Sequence, residues 1–215
     1  MTRIERIDKA RESKMKESGI IPEGCPLITD RLREVYFKHY NLSGEIVNGS
    51  VVVFDTIAPA VENIFLQLYE LRFEIDKAFP ILKYQGSDLD SMNDNNSSGF
   101  NGRKVLGTDK WSSHAYGMAI DINPFQNPYL TNVNSAIKIY PENSFAYLNR
   151  EVLKPGMITK EVVEVFRRNH FSEWGGYWND HRIDYHHFQI PWDTIHKIEE
   201  LSISEGLQYL ENSKQ

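Results

Sequence analysis

The apolar positions of the chain fall into runs whose spacing changes along its length. Residues 2–18 alternate charges densely and carry only a thin apolar stripe, Ile4, Ile7, Ala10 and Met15. That spacing predicts an exposed helix lying loosely on the body. Pro22, Gly24 and Pro26 interrupt it. Residues 34–40 and 45–54 read as two strands around Asn41-Leu42-Ser43-Gly44, because Val51, Val52 and Val53 favour a pleated surface. Next, Val61, Ile64, Phe65, Leu68, Leu71 and Ile75 recur at helical spacing. With Pro59 suited to a first turn and Pro80 as a stop, they predict a helix over 58–78. Residues 81–84 look like a short strand.

Beyond this point the pattern becomes more polar. Residues 85–102 are rich in Asp, Asn, Ser and Gly and too long for a tight turn, which favours a site-forming loop. A strand is predicted over 116–122, followed by a loop marked by Pro124 and Pro128. Thr159 suits the N-cap of a helix over 160–169, with Val162, Val163 and Phe166 inward. Trp174-Gly175-Gly176-Tyr177-Trp178 reads as a turn between large aromatics. A final buried strand is predicted over 183–190, and Asp193 is placed to cap a C-terminal helix running to about residue 210.

A chain of 215 residues fits one domain with a single core. Its net charge of -6 argues against nucleic acid or an anionic membrane as partner. No stretch approaches the roughly 20 apolar residues of a membrane span. The charged N-terminal segment lacks the apolar centre of a signal peptide, so location is left open by the sequence. Cys25 is the single cysteine, which excludes an intrachain disulfide; between Gly24 and Pro26 it reads as a structural thiol.

Chemistry concentrates in two short segments. SSHAYGMAID, from Ser112 to Asp121, offers His114 and Asp121; DYHHF, from Asp184 to Phe188, offers Asp184, His186 and His187. Asp121 sits between Ile120 and Ile122 on an apolar strand, where a carboxylate is costly unless paired or bound to a metal. Gly117 and Ala119 are small enough for a bend that turns His114 and Asp121 towards one point. Two histidines and one aspartate form a natural zinc-ligand set, and a spare acid is what metal-assisted hydrolysis needs. Neighbouring strand residues face opposite ways, so spacing alone leaves His186 and His187 both open as ligand. Ser113-His114 lacks the G-x-S-x-G pattern of a nucleophile elbow.

Ser112, His114, Gly117, Ala119 and Asp121 fill S-x-H-x-x-G-x-A-x-D, which resembles the first motif of the M15 zinc peptidases. This group includes D-alanyl-D-alanine carboxypeptidases and L-alanyl-D-glutamate endopeptidases of bacterial cell walls. Asp184, His187 and Phe188 resemble the second motif, an acid three residues before a ligand histidine followed by an aromatic, and that resemblance selects His187. Ser91-Met92, residues 95–103, Ile122-Asn123-Pro124, Asn127-Pro128-Tyr129 and Trp174-Gly175-Gly176 extend the likeness over about residues 45–192.

The resemblance implies an α+β, Hedgehog/DD-peptidase-like domain: a small central antiparallel sheet, helices packed on one side and zinc in a surface groove. Residues 1–44 would be an N-terminal helix and lead-in strand, 45–192 the peptidase core and 193–215 a C-terminal helix, all of one domain. One zinc per chain would be held by His114, Asp121 and His187, with Asp184 as general base. Ser112 and Arg103 would contact substrate. Read from the residues themselves, Glu173 offers an alternative base, although its place before Trp174 better suits a surface turn, and His181 and His186 fit residues that support the ligands or line the rim. The implied activity is hydrolysis of an amide next to a D-amino acid in a peptidoglycan stem peptide or muropeptide, by a monomer. A silent binding protein of the same fold and an L-Ala-D-Glu-type endopeptidase are the alternatives. The substrate would place the protein in the periplasm or envelope unless it acts from within.

Overall fold

The computed structural model describes residues 2–27, 29–133, 136–179 and 182–213. The N-terminal segment is not a single helix. Arg3–Arg6 form strand β1, paired antiparallel with β2 (Leu32–Tyr40), and α1 spans only Lys9–Glu17. Ile4 alternates with Arg3 and Glu5, the period of a strand, and this wins over the sparse helical stripe. Asp8 caps α1, its carboxylate accepting from the Arg11 backbone N–H at 2.8 Å. Arg11 also reaches buried Glu34 on β2, where Tyr36 and Ser50 donate to the same carboxylate. Helix and sheet are thereby tied together.

β2 and β3 (Ile46–Phe54) form the expected hairpin, with Leu32 opposite Phe54 and Tyr40 opposite Ile46. At its turn the Asn41 side chain accepts from the backbone N–H groups of Ser43 and Glu45. α2 (Ala58–Glu70) packs across this hairpin, with Phe65 stacked on Phe37 at 3.6 Å. It ends earlier than predicted. Arg72 takes a left-handed conformation (φ 53°), and Phe73 and Ile75 stay buried by running extended beside β2, where the Ile75 N–H donates to Tyr40 O at 2.8 Å.

The segment expected as a strand at 81–84 is a 3-10 turn, closed by Gln85 in the left-handed region. Short strands β4 (Lys77–Ala78) and β5 (Asn96–Ser97) pair in parallel, and helix α3 (Asp88–Asn93) lies inside the predicted loop. Residues 113–116 also form a 3-10 turn, so β6 is confined to Ala119–Asp121. An unpredicted hairpin, β7 (Tyr129–Val133) and β8 (Ala136–Tyr140), follows the two prolines. α4 (Lys160–Arg168) is capped as expected, Thr159 Oγ accepting from Val162 N–H at 3.3 Å.

β9 (Glu173–Trp174) leads into a 3-10 turn at Gly175–Tyr177. The predicted strand 183–190 is two strands, β10 (Arg182–Asp184) and β11 (His187–Gln189), because each half joins a different sheet. The C-terminal helix is likewise two, α5 (Trp192–Ile198) and α6 (Ile203–Asn212). Asp193 falls in the first turn of α5 instead of capping it, and Ser202 caps α6 through a capping box.

The fold is therefore α+β, with six helices among the described residues. The single central sheet implied by the resemblance is divided into three antiparallel sheets, β1-β2-β3, β6-β11-β9 and β10-β7-β8. Backbone hydrogen bonds stitch two of these together. Phe100 N–H donates to Val52 O at 2.7 Å, Phe54 N–H donates to Gly117 O at 2.9 Å, and Ser98 and Asp121 exchange bonds of 3.0 and 2.9 Å. One apolar cluster runs beneath them from Met15 to Leu210.

Candidate metal centre and groove

Three elements bring the first motif and the last strands together. Ser112 Oγ accepts from His114 N–H at 3.3 Å and so caps the 3-10 turn that carries His114. Gly117 ends that turn at φ 66°, and a methyl there would lie 2.8 Å from Phe54 N. Only glycine suits both the left-handed conformation and the close approach to β3. The chain then enters β6, where Asp121 lies directly opposite His187 of β11. Opposed residues of an antiparallel pair share a face with their Cβ atoms about 5 Å apart. Register thus chooses His187, on the structure's own terms.

The donor atoms of His114, Asp121 and His187 all lie within 4.8 Å of one another, and all three residues are buried. His114 Nε2 is 3.2 Å from Asp121 Oδ2, His187 Nδ1 is 3.0 Å from Asp121 Oδ1, and the two ring nitrogens are 3.2 Å apart. The outer nitrogens fix what the inner ones can do. His114 Nδ1 lies 2.7 Å from the carbonyl of Gly99, which only accepts, so Nδ1 carries a proton. His187 Nε2 lies 2.9 Å from Gln189 Oε1, which also accepts from Ser113 Oγ at 2.9 Å while Gln189 Nε2 donates to Glu173. In the neutral tautomers two bare nitrogen lone pairs therefore face a carboxylate. Three acceptors in a dry space repel one another unless a cation or proton joins them.

The protonation behaviour of these groups agrees. Burial pushes the Asp121 carboxyl up, but the charges of His114 and His186 and the histidine hydrogen bonds outweigh it and hold the group well below the ordinary range. Burial also lowers His187, yet the hydrogen bond and charge of Asp121, with the charge of Asp184, raise it to about 9. The donor set and its hydrogen-bonded outer nitrogens fit a divalent metal that takes histidine and carboxylate ligands.

Asp184, opposite Tyr129 in the next sheet, completes the cluster. Its Oδ1 is 3.0 Å from His186 Nε2, outside hydrogen-bond geometry, and is buried without a hydrogen-bond donor. Burial raises the carboxyl above its ordinary value, Asp121 adds to this, and His186 and His187 oppose it. His186 Nδ1 donates to the Asn127 carbonyl at 2.9 Å, which fixes this ring beside Asp184 while His187 faces Asp121. A buried, unsatisfied carboxylate oxygen beside a metal-ligand set is placed to take a proton.

These groups open onto a groove of about 870 Å³ that Ser112, Arg103 and Glu173 also line, large enough for a short peptide. Arg103 Nη2 is 3.0 Å from Asp88 Oδ2 of α3, and its buried Nε has no acceptor. The backbone of Arg103 accepts from Ser112 N–H at 3.1 Å, which anchors it to the His114 turn. Glu173 hydrogen-bonds Gln189 and, with burial first among the causes, is raised above the usual carboxylate range. It buttresses His187 at second hand. His181 lies outside the described residues. Cys25, half-buried, contacts the Ala115 carbonyl through its sulfur at 3.9 Å and lines no part of the groove.

Sequence reasoning weighed Ser113 only as a nucleophile, took Tyr129 only as part of the Asn127-Pro128-Tyr129 likeness, and passed over Gln189 and Tyr140 in the groove wall. Gln189 was within reach of it: two residues beyond His187 on one strand, it had to share the ligand's face.

Residues 106–190 match a family model described as D-alanyl-D-alanine carboxypeptidase, in the M15 peptidase group, and this similarity supports an M15 family peptidase. The matched stretch contains His114, Asp121, Asp184 and His187. No curated protein and no solved structure matches the chain significantly.

Proposed function

We propose that this protein is a zinc-dependent peptidase that hydrolyses an amide next to a D-amino acid in peptidoglycan stem peptides, as a D-Ala-D-Ala carboxypeptidase does. The observation that carries the reading is the buried convergence of His114, Asp121 and His187 beside a fourth, unsatisfied carboxylate, Asp184. His114 Nε2, His187 Nδ1 and an Asp121 oxygen would hold the ion, one per chain. When bound, zinc supplies Lewis acidity, which makes water more acidic and stabilises negative charge on an amide oxygen.

The remaining work belongs to side chains. Asp184 takes the proton of the attacking water as its oxygen bonds the amide carbon, and returns that proton to the nitrogen as the C–N bond breaks. A carboxyl raised by burial suits both halves of this transfer. His186, held by Asn127, stands 3.0 Å from Asp184 Oδ1 and opposes the rise of its carboxyl. Ser112 retains a free O–H to donate to substrate, and the unpartnered Arg103 Nε suits a substrate carboxylate. A silent binding protein would have no need of a desolvated base at Asp184, and an endopeptidase differs only in how the groove ends close.

The test is digestion of purified muropeptides with mass spectrometry, with and without a chelator, alongside metal analysis. The expected result is about one zinc per chain and release of a D-amino acid or an internal fragment, lost with chelator. Full amidase activity in metal-free protein would refute the mechanism.

A further inference from the structure

We infer that the outer face of the β10-β7-β8 sheet reads substrate charge, and that Arg182 engages a carboxylate of the peptide within about two residues of the bond cut, a distance set by strand spacing. This rests on the peptidase reading above and names the class of peptide it takes: acidic, not amidated.

The register places the residues. Asp184 lies opposite Tyr129 and Tyr129 opposite Tyr140; Arg182 lies opposite Thr131 and Thr131 opposite Lys138. Directly opposed residues share a face, and alternate residues along a strand return to it. One face therefore carries two adjoining rows, Asp184-Tyr129-Tyr140 and Arg182-Thr131-Lys138. The row between them, Ile183, Leu130 and Ile139, points the other way, with Ile139 buried. Tyr129 and Tyr140 stack at 6.2 Å, and both line the groove together with Arg182 and Asp184. Arg182 stands one strand repeat, about 6.8 Å, from the proposed base. An extended peptide advances about the same distance in two residues.

Charge selects the ligand. Among the other cations of the groove, Lys104 Nζ faces Asp109 at 3.4 Å and Arg103 Nη2 faces Asp88 at 3.0 Å, so that only the buried Nε of Arg103, proposed above for a substrate carboxylate, is left beside Arg182. Arg182 is exposed, and no carboxylate among the described residues pairs with it or with Lys138 in the same row. The chain carries a net charge of -6, and Asp121, Asp184 and Glu173 line the groove, so an acidic peptide approaches against the local field unless a cation offsets it. A free guanidinium meets a carboxylate through two parallel N–H donors, which neither a carboxamide nor an apolar side chain can match.

The experiment uses the full chain loaded with zinc and two synthetic stem peptides differing only in a carboxylate or a carboxamide one or two residues from the scissile amide. The expected kcat/KM favours the carboxylate peptide by about tenfold, the value of a hydrogen bond to a charged group. Arg182→Gln brings that ratio close to one, chiefly by raising KM for the carboxylate peptide, and Arg182→Lys retains part of the preference. A wild-type protein indifferent to the carboxylate, or an Arg182→Gln variant that keeps the preference, overturns the inference. Peptide binding to Asp184→Asn, followed by tryptophan fluorescence, separates this from the peptidase reading. Carboxylate-dependent binding lost with Arg182→Gln upholds the inference even where neither peptide is cleaved, and equal binding of both peptides overturns it.

Discussion

Replacing Gly175 with alanine tests whether Asp184 acts from the position the fold assigns it. Gly175 opens the turn after β9, and a methyl on it would lie 2.4 Å from Asp184 O, 2.8 Å from Asp184 Cβ and 3.2 Å from Asp184 C. Its φ lies outside the left-handed region, so alanine brings no backbone strain and acts by contact alone. The atoms it meets are backbone and Cβ, which cannot swing aside as a flexible side chain would. Restoring ordinary van der Waals separation requires the turn and β10 to part by about 1 Å. Overpacking of this kind costs about 1–3 kcal/mol. At about 2–4 °C per kcal/mol for a domain of this size, Tm should fall by about 2–12 °C. A base misplaced by about 1 Å costs about 100-fold in kcat. The proposed metal ligands sit on β6, β11 and the His114 turn, so zinc content should stay near that of the parent protein. The assays are calorimetry, metal analysis and steady-state hydrolysis. Gly44→Ala is the control: nothing lies within 4 Å of its added methyl, and its φ of 79° predicts a stability loss without a loss of kcat. A Gly175→Ala protein whose Tm falls as expected but whose kcat stays within about threefold of the parent would refute the assignment of Asp184, since a displaced base costs far more.

Asp184→Asn should keep its zinc and lose about 100- to 10,000-fold in kcat, the range for a general base; loss of metal instead would make Asp184 a ligand. His187→Ala should lose the metal while His186→Ala keeps it, because only His187 faces Asp121 across β6 and β11; equal zinc contents by mass spectrometry would contradict that register. Burial raises the Cys25 thiol above its ordinary value, and less thiolate at a given pH means slower alkylation. Iodoacetamide at pH 7.5 should therefore modify the folded protein more slowly than the urea-unfolded chain, and equal rates would place Cys25 in water.

Which parts of this arrangement were readable beforehand depended on how much local chemistry each carried. Asp121 was conspicuous because it lies between Ile120 and Ile122, both of which prove fully buried, and a carboxylate there needs a charged partner whatever the fold. The identity of that partner was not local. His187 was separated from His186 only by likeness to a family motif, whereas in the structure the separation follows from which residue stands opposite Asp121. α2 overran in the reading because Leu71 and Ile75 continue its stripe, yet Leu71 is 49% exposed and Ile75 is buried as an extended residue against Tyr40. Period alone cannot tell a helix from a chain that stops and doubles back with its apolar residues in phase.

The β7–β8 hairpin was missed for a different reason, and it bears on the site. Its inner face carries Leu130, Ile139 and Ile137, of which Ile139 is buried and Ile137 is 70% exposed, while its outer row is aromatic, polar and cationic. With so little of the inner face buried, the hairpin leaves a weak hydrophobic trace. The same economy explains why 183–190 read as one strand. Ile183, Phe188 and Ile190 are all apolar, and nothing between them announces that the chain leaves one sheet at Asp184 and enters another at His187. That change of sheet puts the proposed proton acceptor on one side of the groove and a proposed metal ligand on the other within three residues. A continuous strand could not do so, because Asp184 and His187 would then point to opposite faces.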